Sequence, residues 1–228
     1  MLRITLAGQS VLLHPTGAAF LCESRTLLIA DAHFGKAVSF RRLGVPVPRG
    51  TTTETLARLS QAIADTQASH VVFLGDFLHS VRSHASGTLA ALHAWRQAHA
   101  QLAMTLVRGN HDDRAGDPPA TLRLEIVDEP FVAGPFALCH HPEPVSSRYV
   151  IAGHWHPCIS VSGRAFETLR LPCFWLGDDT GALPHQAVGV LPAFGSFTGM
   201  HRIDPRAGDR IFPVADGVVR ALPALPLP

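Results

Sequence analysis

The stretch from residue 27 to residue 112 contains three apolar runs that each lead into polar residues: LLIADAH (27–33), VVFLGD (71–76) and MTLVRGNHD (104–112). Each run has the length and character of a buried strand. Two helical patterns separate the runs, one from residue 51 to about residue 68 and one at residues 87–100. This β-α-β-α-β order predicts an α/β layered fold.

The second half of the chain has short apolar runs with little helical periodicity, and we expect it to be rich in β-strands. Two of these runs end in histidines: FALC (136–139) leads into His140 and His141, and YVIA (149–152) leads into GHWH. A hairpin is predicted within the first thirty residues. We expect one domain over residues 1–220 and a Pro-rich tail without regular structure at residues 221–228.

Length and composition indicate a globular protein. The chain has 228 residues, of which 46% are hydrophobic and 16% charged, and its formal net charge is +1. A charge this small indicates no overall field that would attract nucleic acid or acidic membranes. No secretory leader and no apolar run of roughly 18 residues is apparent, so we expect a cytoplasmic protein without a membrane partner.

Several of the fourteen histidines lie beside Asp, Asn and Gly where strands are predicted to end. Ligand groups gather at the carboxyl ends of strands in α/β sheets. If the Asp-x-His and His-x-His pairs continue their strands, both members of each pair point to one face. Gly75 and Gly109 allow close backbone approach. The candidate metal ligands are Asp31, His33, Asp76, Asn110, His140, His154 and His156.

The types of ligand suggest which ions bind. Carboxylate, imidazole and amide groups without thiolate suit Mn²⁺, Fe²⁺ or Zn²⁺. Seven ligands exceed the four of a structural zinc site, and they fit two ions that share a bridging carboxylate. Two ions about 3.5–4 Å apart clamp the attacking and leaving oxygens in phosphoryl transfer. Strand alternation allows only one of the adjacent His140 and His141 to reach the metals.

The order D-x-H, G-D, G-N-H-D, H and G-H-x-H resembles the calcineurin-like metallophosphoesterase superfamily over residues 27–157. The resemblance implies a four-layer sandwich of two mixed β-sheets flanked by helices. It also implies the division of the ligands and favours His140 over His141. Asp31, His33, Asp76 and His156 would hold one metal, and Asn110, His140 and His154 the second, with Asp76 bridging. His111 would contact the phosphate and protonate the leaving oxygen.

Four further segments, IADAHFGK (29–36), FRRLGVPVP (40–48), LPCFWL (171–176) and LPAFGSFTG (191–199), are similar to the ligase-associated DNA-damage-response phosphoesterases. That family is described as manganese-dependent phosphodiesterases and endonucleases, encoded beside a DNA ligase and a helicase. The resemblance implies Mn²⁺ as the first choice of metal, with Fe²⁺ and Zn²⁺ as alternatives. It also implies a role in DNA repair, with the ligase and helicase as possible partners.

We therefore expect a phosphodiesterase that hydrolyses nucleotides or nucleic acid by attack of a hydroxide formed at the metals. His111, oriented by Asp76 or Asp112, would act as the acid, and Arg114 completes the predicted catalytic set. The alternatives are a phosphomonoesterase, a pyrophosphatase of nucleotide-linked lipids, or a non-catalytic DNA-repair adaptor.

Several residues near the predicted site have two interpretations. Asp112 suits a turn as well as a catalytic role. A second group either contacts the substrate or lies on the surface; it consists of Lys36, Arg41, Arg42 and His79. Trp155 is expected to point away from the metals and to pack against the protein.

Overall fold

The computed structural model describes residues 1–47, 50–162, 168–178 and 187–223. The first half of the chain forms a seven-stranded sheet in which the strands follow their sequence order. Its strands are β1 (Leu2–Leu6), β2 (Gln9–Leu13), β3 (Ala19–Leu21), β4 (Thr26–Ala30), β5 (His70–Leu74), β6 (Ala103–Val107) and β7 (Glu125–Val127). Strands β1 to β4 are antiparallel, and β4 to β7 are parallel. The sheet is therefore mixed.

Helices connect the parallel strands, as the sequence predicts. The α-helices are α1 (Lys36–Arg42), α2 (Thr51–Thr66), α3 (Ser86–Ala98) and α4 (Asn110–Ala115), and 3-10 helices span Val81–His84 and Ala120–Leu122. Helix α2 buries Leu56 and Leu59, and α3 buries Leu92. In α2 the buried residues Leu56, Leu59 and Ala62 recur every three residues, which places them on one helical face. The predicted hairpin is confirmed as β2 and β3, whereas β1 was not anticipated.

The second half of the chain forms a second mixed sheet, and the prediction of a β-rich half is confirmed. Its strands are β8 (Phe131–Ala133), β9 (Phe136–Leu138), β10 (Tyr149–Ala152), β11 (Pro157–Ser162), β12 (Thr168–Leu176), β13 (Val188–Val190), β14 (His201–Arg202), β15 (Arg210–Ala215) and β16 (Val218–Val219). The main path runs β14-β11-β12-β13-β10-β9-β8, and β15 pairs with β12 and β16. Strand β10 is parallel to β9 and β13, and β12 is antiparallel to β13.

The two sheets pack face to face, and alternation along β4 explains how. Leu27 and Ile29 join the core beneath α2 and α3, whereas Leu28 joins the core between the sheets, which also contains Phe136 and Phe174. Each large side chain fully buried in this way stabilises the fold by about 1.5–3 kcal/mol. The α/β sandwich of two mixed sheets flanked by helices is thus confirmed, and it brings the ends of β4, β5 and β6 close to those of β9 and β10.

None of the helices within the described residues is long and apolar enough to cross a membrane. The single domain over residues 1–220 stays a prediction. Of the predicted tail at 221–228, residues 224–228 lie outside the described part.

Candidate metal centre

Polar side chains that follow five strands converge between the two sheets. Asp31 directly follows β4 and Asp76 follows β5, while His140 follows β9 of the second sheet. The Nδ1 atom of His140 lies 3.9 Å from Oδ1 of Asp31, and its Nε2 atom lies 3.5 Å from Oδ1 of Asp76. The seven predicted ligands are called the ligand cluster below. They are Asp31, His33, Asp76, Asn110, His140, His154 and His156.

Five members of the ligand cluster have a left-handed backbone, which corrects the expectation that the Asp-x-His and His-x-His pairs extend their strands. The φ angles are 52° for Asp31, 46° for His33, 52° for Asp76, 68° for His154 and 46° for His156. Side chains other than glycine rarely adopt this conformation, which costs on the order of 1–3 kcal/mol per residue. Sharp turns after the strands, rather than strand alternation, therefore aim the paired side chains at one place.

One half of the ligand cluster lies where β4 and β5 end. The Nε2 atom of His156 is 3.4 Å from Oδ1 of Asp31, and Nε2 of His33 is 3.8 Å from Oδ2 of Asp76. Ligand atoms of Asp31, His33 and His156 all lie within 4.8 Å of one another. These are the residues that the resemblance assigns to the first metal.

The other half of the ligand cluster is centred on His140, which is fully buried. Its Nδ1–H donates to the carbonyl oxygen of Leu74 at 3.1 Å, so the neutral ring carries its lone pair on Nε2. Oδ1 of Asn110 and Nδ1 of His154 each lie 3.0 Å from that Nε2 atom. These residues match the predicted second site.

In the part of the chain that the structure describes, several polar atoms of the ligand cluster lack a hydrogen-bond partner, as expected of atoms that bind divalent cations. Within the described residues, buried atoms without a hydrogen-bond partner include Oδ1 of Asp31, Nδ1 of His33 and Nε2 of His156. The lone pair of His140 also faces the amide oxygen of Asn110, and two acceptors repel each other without a cation between them. Atoms that share one ion through bonds of about 2.0–2.2 Å stand roughly 3 Å apart, as Nε2 of His140 and Oδ1 of Asn110 do at 3.0 Å.

The protonation of the histidines favours the same interpretation. Burial is the largest cause that lowers the pKa of His33 well below 6.5, and burial also lowers the pKa of His154. Imidazoles with lowered pKa values are neutral at pH 7, which is the form that binds metals.

Three glycines make the close approach of the loops possible. A Cβ atom on Gly75 would lie 2.2 Å from Nδ1 of His140, and one on Gly109 would lie 2.5 Å from Oδ1 of Asp76. The predicted need for glycine at these two positions is confirmed. Gly153 is a third such position, since its Cβ would lie 2.5 Å from Oδ2 of Asp31.

Glu129 holds the segment that carries His140 and His141. Its Oε2 atom accepts the backbone N–H groups of both histidines, at 2.7 and 3.0 Å, and Oε1 is 2.6 Å from Nδ1 of His141. Burial alone would raise the pKa of Glu129, but the hydrogen bonds from His141 and the backbone outweigh it and lower the pKa. His140 lies inside the cluster and His141 at its rim. Sequence reasoning missed Glu129 because it lies outside the histidine motifs.

His111 lies at the rim of the ligand cluster with its orientation fixed. Its backbone N–H donates to Oδ1 of Asp76 at 2.9 Å, and its Nδ1–H donates to the carbonyl oxygen of His79 at 2.7 Å. The Nε2 atom then faces the cluster, 3.9 Å from Oδ2 of Asp76. Of the two residues predicted to orient His111, Asp76 is the one that contacts it here.

Asp112 is almost fully buried, and its carboxylate binds backbone. Its two oxygens accept the N–H groups of Leu78, at 3.1 Å, and Gly109, at 3.0 Å. Burial raises its pKa to about 6. The turn interpretation of Asp112 therefore fits its contacts. Arg114 is exposed on α4, and its catalytic role stays a prediction.

His79 and Lys36 lie beside the cluster, whereas Arg41 and Arg42 are exposed in the last turn of α1. The ring of His79 stacks on that of His111, with centroids 4.8 Å apart. Burial lowers the pKa of His79 to about 4. Burial also lowers the pKa of Lys36, against the opposing pull of the two cluster carboxylates. His79 therefore lies beside the ligand cluster, which fits a contact with the substrate better than a position on the outer surface.

The chain is similar to known proteins in sequence and in fold. The calcineurin-like phosphoesterase family matches residues 24–146. Pseudomonas putida nuclease MPE is 41% identical and superposes with a TM-score of 0.82, over 97% of this chain and 99% of that one. The Escherichia coli phosphoesterase Yfce is 12% identical, with a TM-score of 0.38 over 85% of this chain and 90% of its own. No curated protein matches the sequence. The family match covers more than half of the chain, and the fold is shared with a nuclease that is 41% identical. The chain therefore belongs to the calcineurin-like phosphoesterase family.

Proposed function

We propose that the protein is a phosphodiesterase with two divalent metal ions that cleaves phosphodiester bonds in nucleotides or nucleic acid. The observation that carries the proposal is the ligand cluster with His111 at its rim. All seven predicted ligands lie together, and His111, which is not among them, lies beside them. A predicted proton donor next to predicted metal ligands supports a hydrolase over a binding protein. The 41% identity to a protein described as a nuclease supports a nucleic-acid diester as substrate.

The ligand cluster would hold the ions as the resemblance implies, with Asp76 between them. Divalent ions in such a site lower the pKa of water toward about 7 and neutralise charge on the phosphoryl oxygens. Mn²⁺ is our first choice because of the sequence resemblance, and the oxygen and nitrogen ligands also suit Fe²⁺ and Zn²⁺.

His111 would move the proton that the leaving oxygen needs. With Nδ1–H held by the carbonyl oxygen of His79, the second proton of the imidazolium resides on Nε2, the atom that faces the cluster. That proton passes to the oxygen of the departing alkoxide, and His111 becomes neutral. Asp112 would act as a positioning residue, because it joins the loops that carry Asp76 and His111.

A place in DNA repair, with a ligase and a helicase as partners, is a further part of the proposal. Its support is the sequence similarity of residues 29–48, 171–176 and 191–199 to the ligase-associated phosphoesterases.

A substrate panel tests the proposal. The purified chain is loaded with Mn²⁺, Fe²⁺ or Zn²⁺ and given bis-nitrophenyl phosphate, mono-nitrophenyl phosphate, cyclic nucleotides and single-stranded DNA. We expect hydrolysis of the diesters and DNA cleavage, both abolished by a chelator. Turnover of the monoester alone would indicate a phosphomonoesterase. DNA binding without metal, and no cleavage after metal is added, would indicate the adaptor.

A further inference from the structure

A small pocket adjoins the ligand cluster, and a predicted metal ligand forms part of its wall. Its lining includes His33 of the ligand cluster, Lys36, Thr51 and Thr55 of α2, and Thr198. We call it the Lys36 pocket. Its volume is about 10 Å³, which accommodates roughly one water-sized group. A ligand bound at the metals therefore has room to place a single atom, such as an oxygen, in this pocket.

Lys36 brings a positive charge without a partner to the pocket. Of the 19 Lys and Arg residues of the chain, it is the only lysine. Its side chain is half-buried, and within the described residues its ammonium group makes no hydrogen bond and no ion pair. Asp31 and Asp76 attract its charge, but both are predicted metal ligands, and bound divalent ions would neutralise them. An ammonium group buried without a partner is costly, so a negatively charged ligand would stabilise it.

The other groups that line the Lys36 pocket are hydrogen-bond donors. Oγ1 of Thr198 is buried and has no hydrogen-bond partner among the residues that the structure describes. Thr51 and Thr52 lie in the first turn of α2, where backbone N–H groups have no partner within the helix. Gly50 at the N-cap has no side chain to accept from them, and a helix N-terminus favours negative charge. The pocket therefore suits an anionic acceptor, as a phosphoryl oxygen is.

The loop that carries Thr198 is held against both the ligand cluster and α2. The backbone N–H of Gly195 donates to the carbonyl oxygen of Asp31 at 3.1 Å, and that of Ser196 donates to Oγ1 of Thr55 at 3.2 Å. A Cβ atom on Gly195 would lie 2.7 Å from Oγ1 of Thr198, so the hydroxyl packs closely on this backbone. The wall is thus formed before a ligand arrives, which lowers the entropic cost of binding.

We propose that the Lys36 pocket binds one phosphoryl oxygen of the substrate, an inference that rests on the proposed function. The oxygen accepts hydrogen bonds from the ammonium group of Lys36 and from the hydroxyl of Thr198. It belongs either to the phosphodiester at the ligand cluster or to the next phosphate along the strand, because both present the same anionic oxygen. A compact ammonium group suits a pocket of this size better than the planar guanidinium that the chain uses elsewhere.

Two substitutions remove the donors while keeping the size of the side chains. Lys36→Met, Thr198→Val and the wild type, each loaded with Mn²⁺, are compared on bis-nitrophenyl phosphate and on a single-stranded oligonucleotide. On at least one substrate we expect kcat/KM to fall about 10- to 150-fold for Lys36→Met, the value of a hydrogen bond to a charged group. For Thr198→Val we expect a loss of about 2- to 12-fold.

Two controls match these substitutions. Thr53→Val changes an exposed threonine in the same turn of α2 as Thr51. Arg123→Met removes an exposed charge just before β7, at the edge of the first sheet away from the ligand cluster. Both should match the wild type. The proposal is wrong if Lys36→Met also matches the wild type on both substrates while retaining its manganese.

The two substrates distinguish the two sources of the oxygen. A loss on bis-nitrophenyl phosphate, which has one phosphate, would assign the oxygen to the phosphodiester at the ligand cluster. A loss on the oligonucleotide alone would assign it to the next phosphate. In that case an uncharged methylphosphonate at one linkage beside the cut should weaken the wild type and have no further effect on Lys36→Met. If every such strand loses as much with Lys36→Met as with the wild type, the proposal is wrong.

Acetylation of amines provides a second measurement that needs no variant. Because Lys36 is the only lysine, mass spectrometry reports on this side chain, with the N-terminal amine as the internal control. Inorganic phosphate or the oligonucleotide, added to the manganese-loaded wild type at roughly ten times its Kd, should slow acetylation of Lys36 about tenfold. Lack of protection by both would overturn the proposal. Protection of Lys36 in a protein that hydrolyses no phosphodiester would instead contradict the proposed function and support the anion site.

Discussion

His111 shows how the backbone selects one atom of a side chain for chemistry. The carbonyl oxygen of His79 holds its Nδ1–H, and Nε2 is left to face the ligand cluster. Replacing His111 with Ala removes the proton donor but none of the seven ligands. We expect kcat on a diester with an alkoxide leaving group to fall roughly 10²–10⁴-fold, with metal content unchanged.

Two measurements check this expectation for His111. Metal analysis of the variant verifies that the ions remain, and a nitrophenyl diester provides the chemical control. Nitrophenolate leaves without a proton, so the loss on that substrate should be much smaller. Full activity of His111→Ala on the alkoxide substrate would exclude the acid role.

Asp112 acts on the backbone, and its variants should affect stability. In Asp112→Asn, one acceptor oxygen becomes an NH₂ group that faces the N–H of Gly109 or Leu78. We expect the free energy of unfolding in urea to fall by about 1–3 kcal/mol, because a buried donor loses its partner. Asp113→Asn is the matched control, since Asp113 is the exposed neighbour on α4. Equal stability of the two variants would contradict this account of Asp112.

At the scale of elements, the site depends on how tightly the loops after the strands approach each other. Gly153 follows β10, and a Cβ there would lie 2.5 Å from Oδ2 of Asp31. Gly153→Ala should therefore displace Asp31 and lower both manganese content and diester hydrolysis at least tenfold, our estimate for a displaced ligand environment.

Gly87→Ala is the control for this substitution. Gly87 lies in α3, and an added Cβ would meet nothing within 4 Å. Gly87 is the second residue of α3 and alanine adopts helical backbone readily, so this variant should keep the wild-type stability and its metal. A Gly153→Ala protein with normal metal content would show that the loops can accommodate a Cβ atom at residue 153 without displacing Asp31.

The strands that hold the site could be predicted because their signals are local. An apolar run such as 71–74, followed by Gly75 and Asp76, identifies both the strand and the residue at its end. The seven ligands could be proposed in the same way. The left-handed conformations of His33 and His156 could not, because the tertiary contacts of the metal site impose them against local preference.

Other features of the site depend on contacts across the sandwich. Glu129 supports the segment after β9 from a separate loop, so no spacing in the sequence connects it to the histidines. His79 had two equally good interpretations in the sequence, and only the packing of its ring on His111 separates them. The packing predicted for Trp155 is incomplete, because its side chain is 44% exposed and has the ring of Trp175 5.6 Å away as its aromatic neighbour.

At the scale of the whole molecule, buried histidines make folding stability depend on pH. Burial is the largest cause that lowers the pKa of His14, and the hydrogen bond with Asp65 only partly offsets it. In the unfolded chain His14 binds a proton near pH 6.5, whereas in the folded protein it does so only at lower pH. Below pH 6.5 unfolding therefore takes up a proton, and the free energy of unfolding falls as the pH is lowered toward the folded pKa.

Urea unfolding of the metal-free protein between pH 5 and 8 checks this dependence. We expect stability to rise with pH up to about pH 7, with a contribution from His14 of at most about 1.4 kcal/mol per pH unit. His14→Gln should have a smaller slope than the wild type. The same slope in both proteins would show that burial of His14 does not govern this part of the pH dependence.

We propose that the two sheets together build a centre for two metal ions and that hydrolysis requires both ions. Manganese bound per chain, measured alongside diester hydrolysis during a titration of the metal-free protein, tests it most directly. We predict that binding saturates at two ions, that activity appears only as both bind, and that Asp76→Ala, which lacks the shared carboxylate, binds fewer and is inactive. Full hydrolysis by the metal-free chain, or saturation of activity at a single ion, would contradict the account.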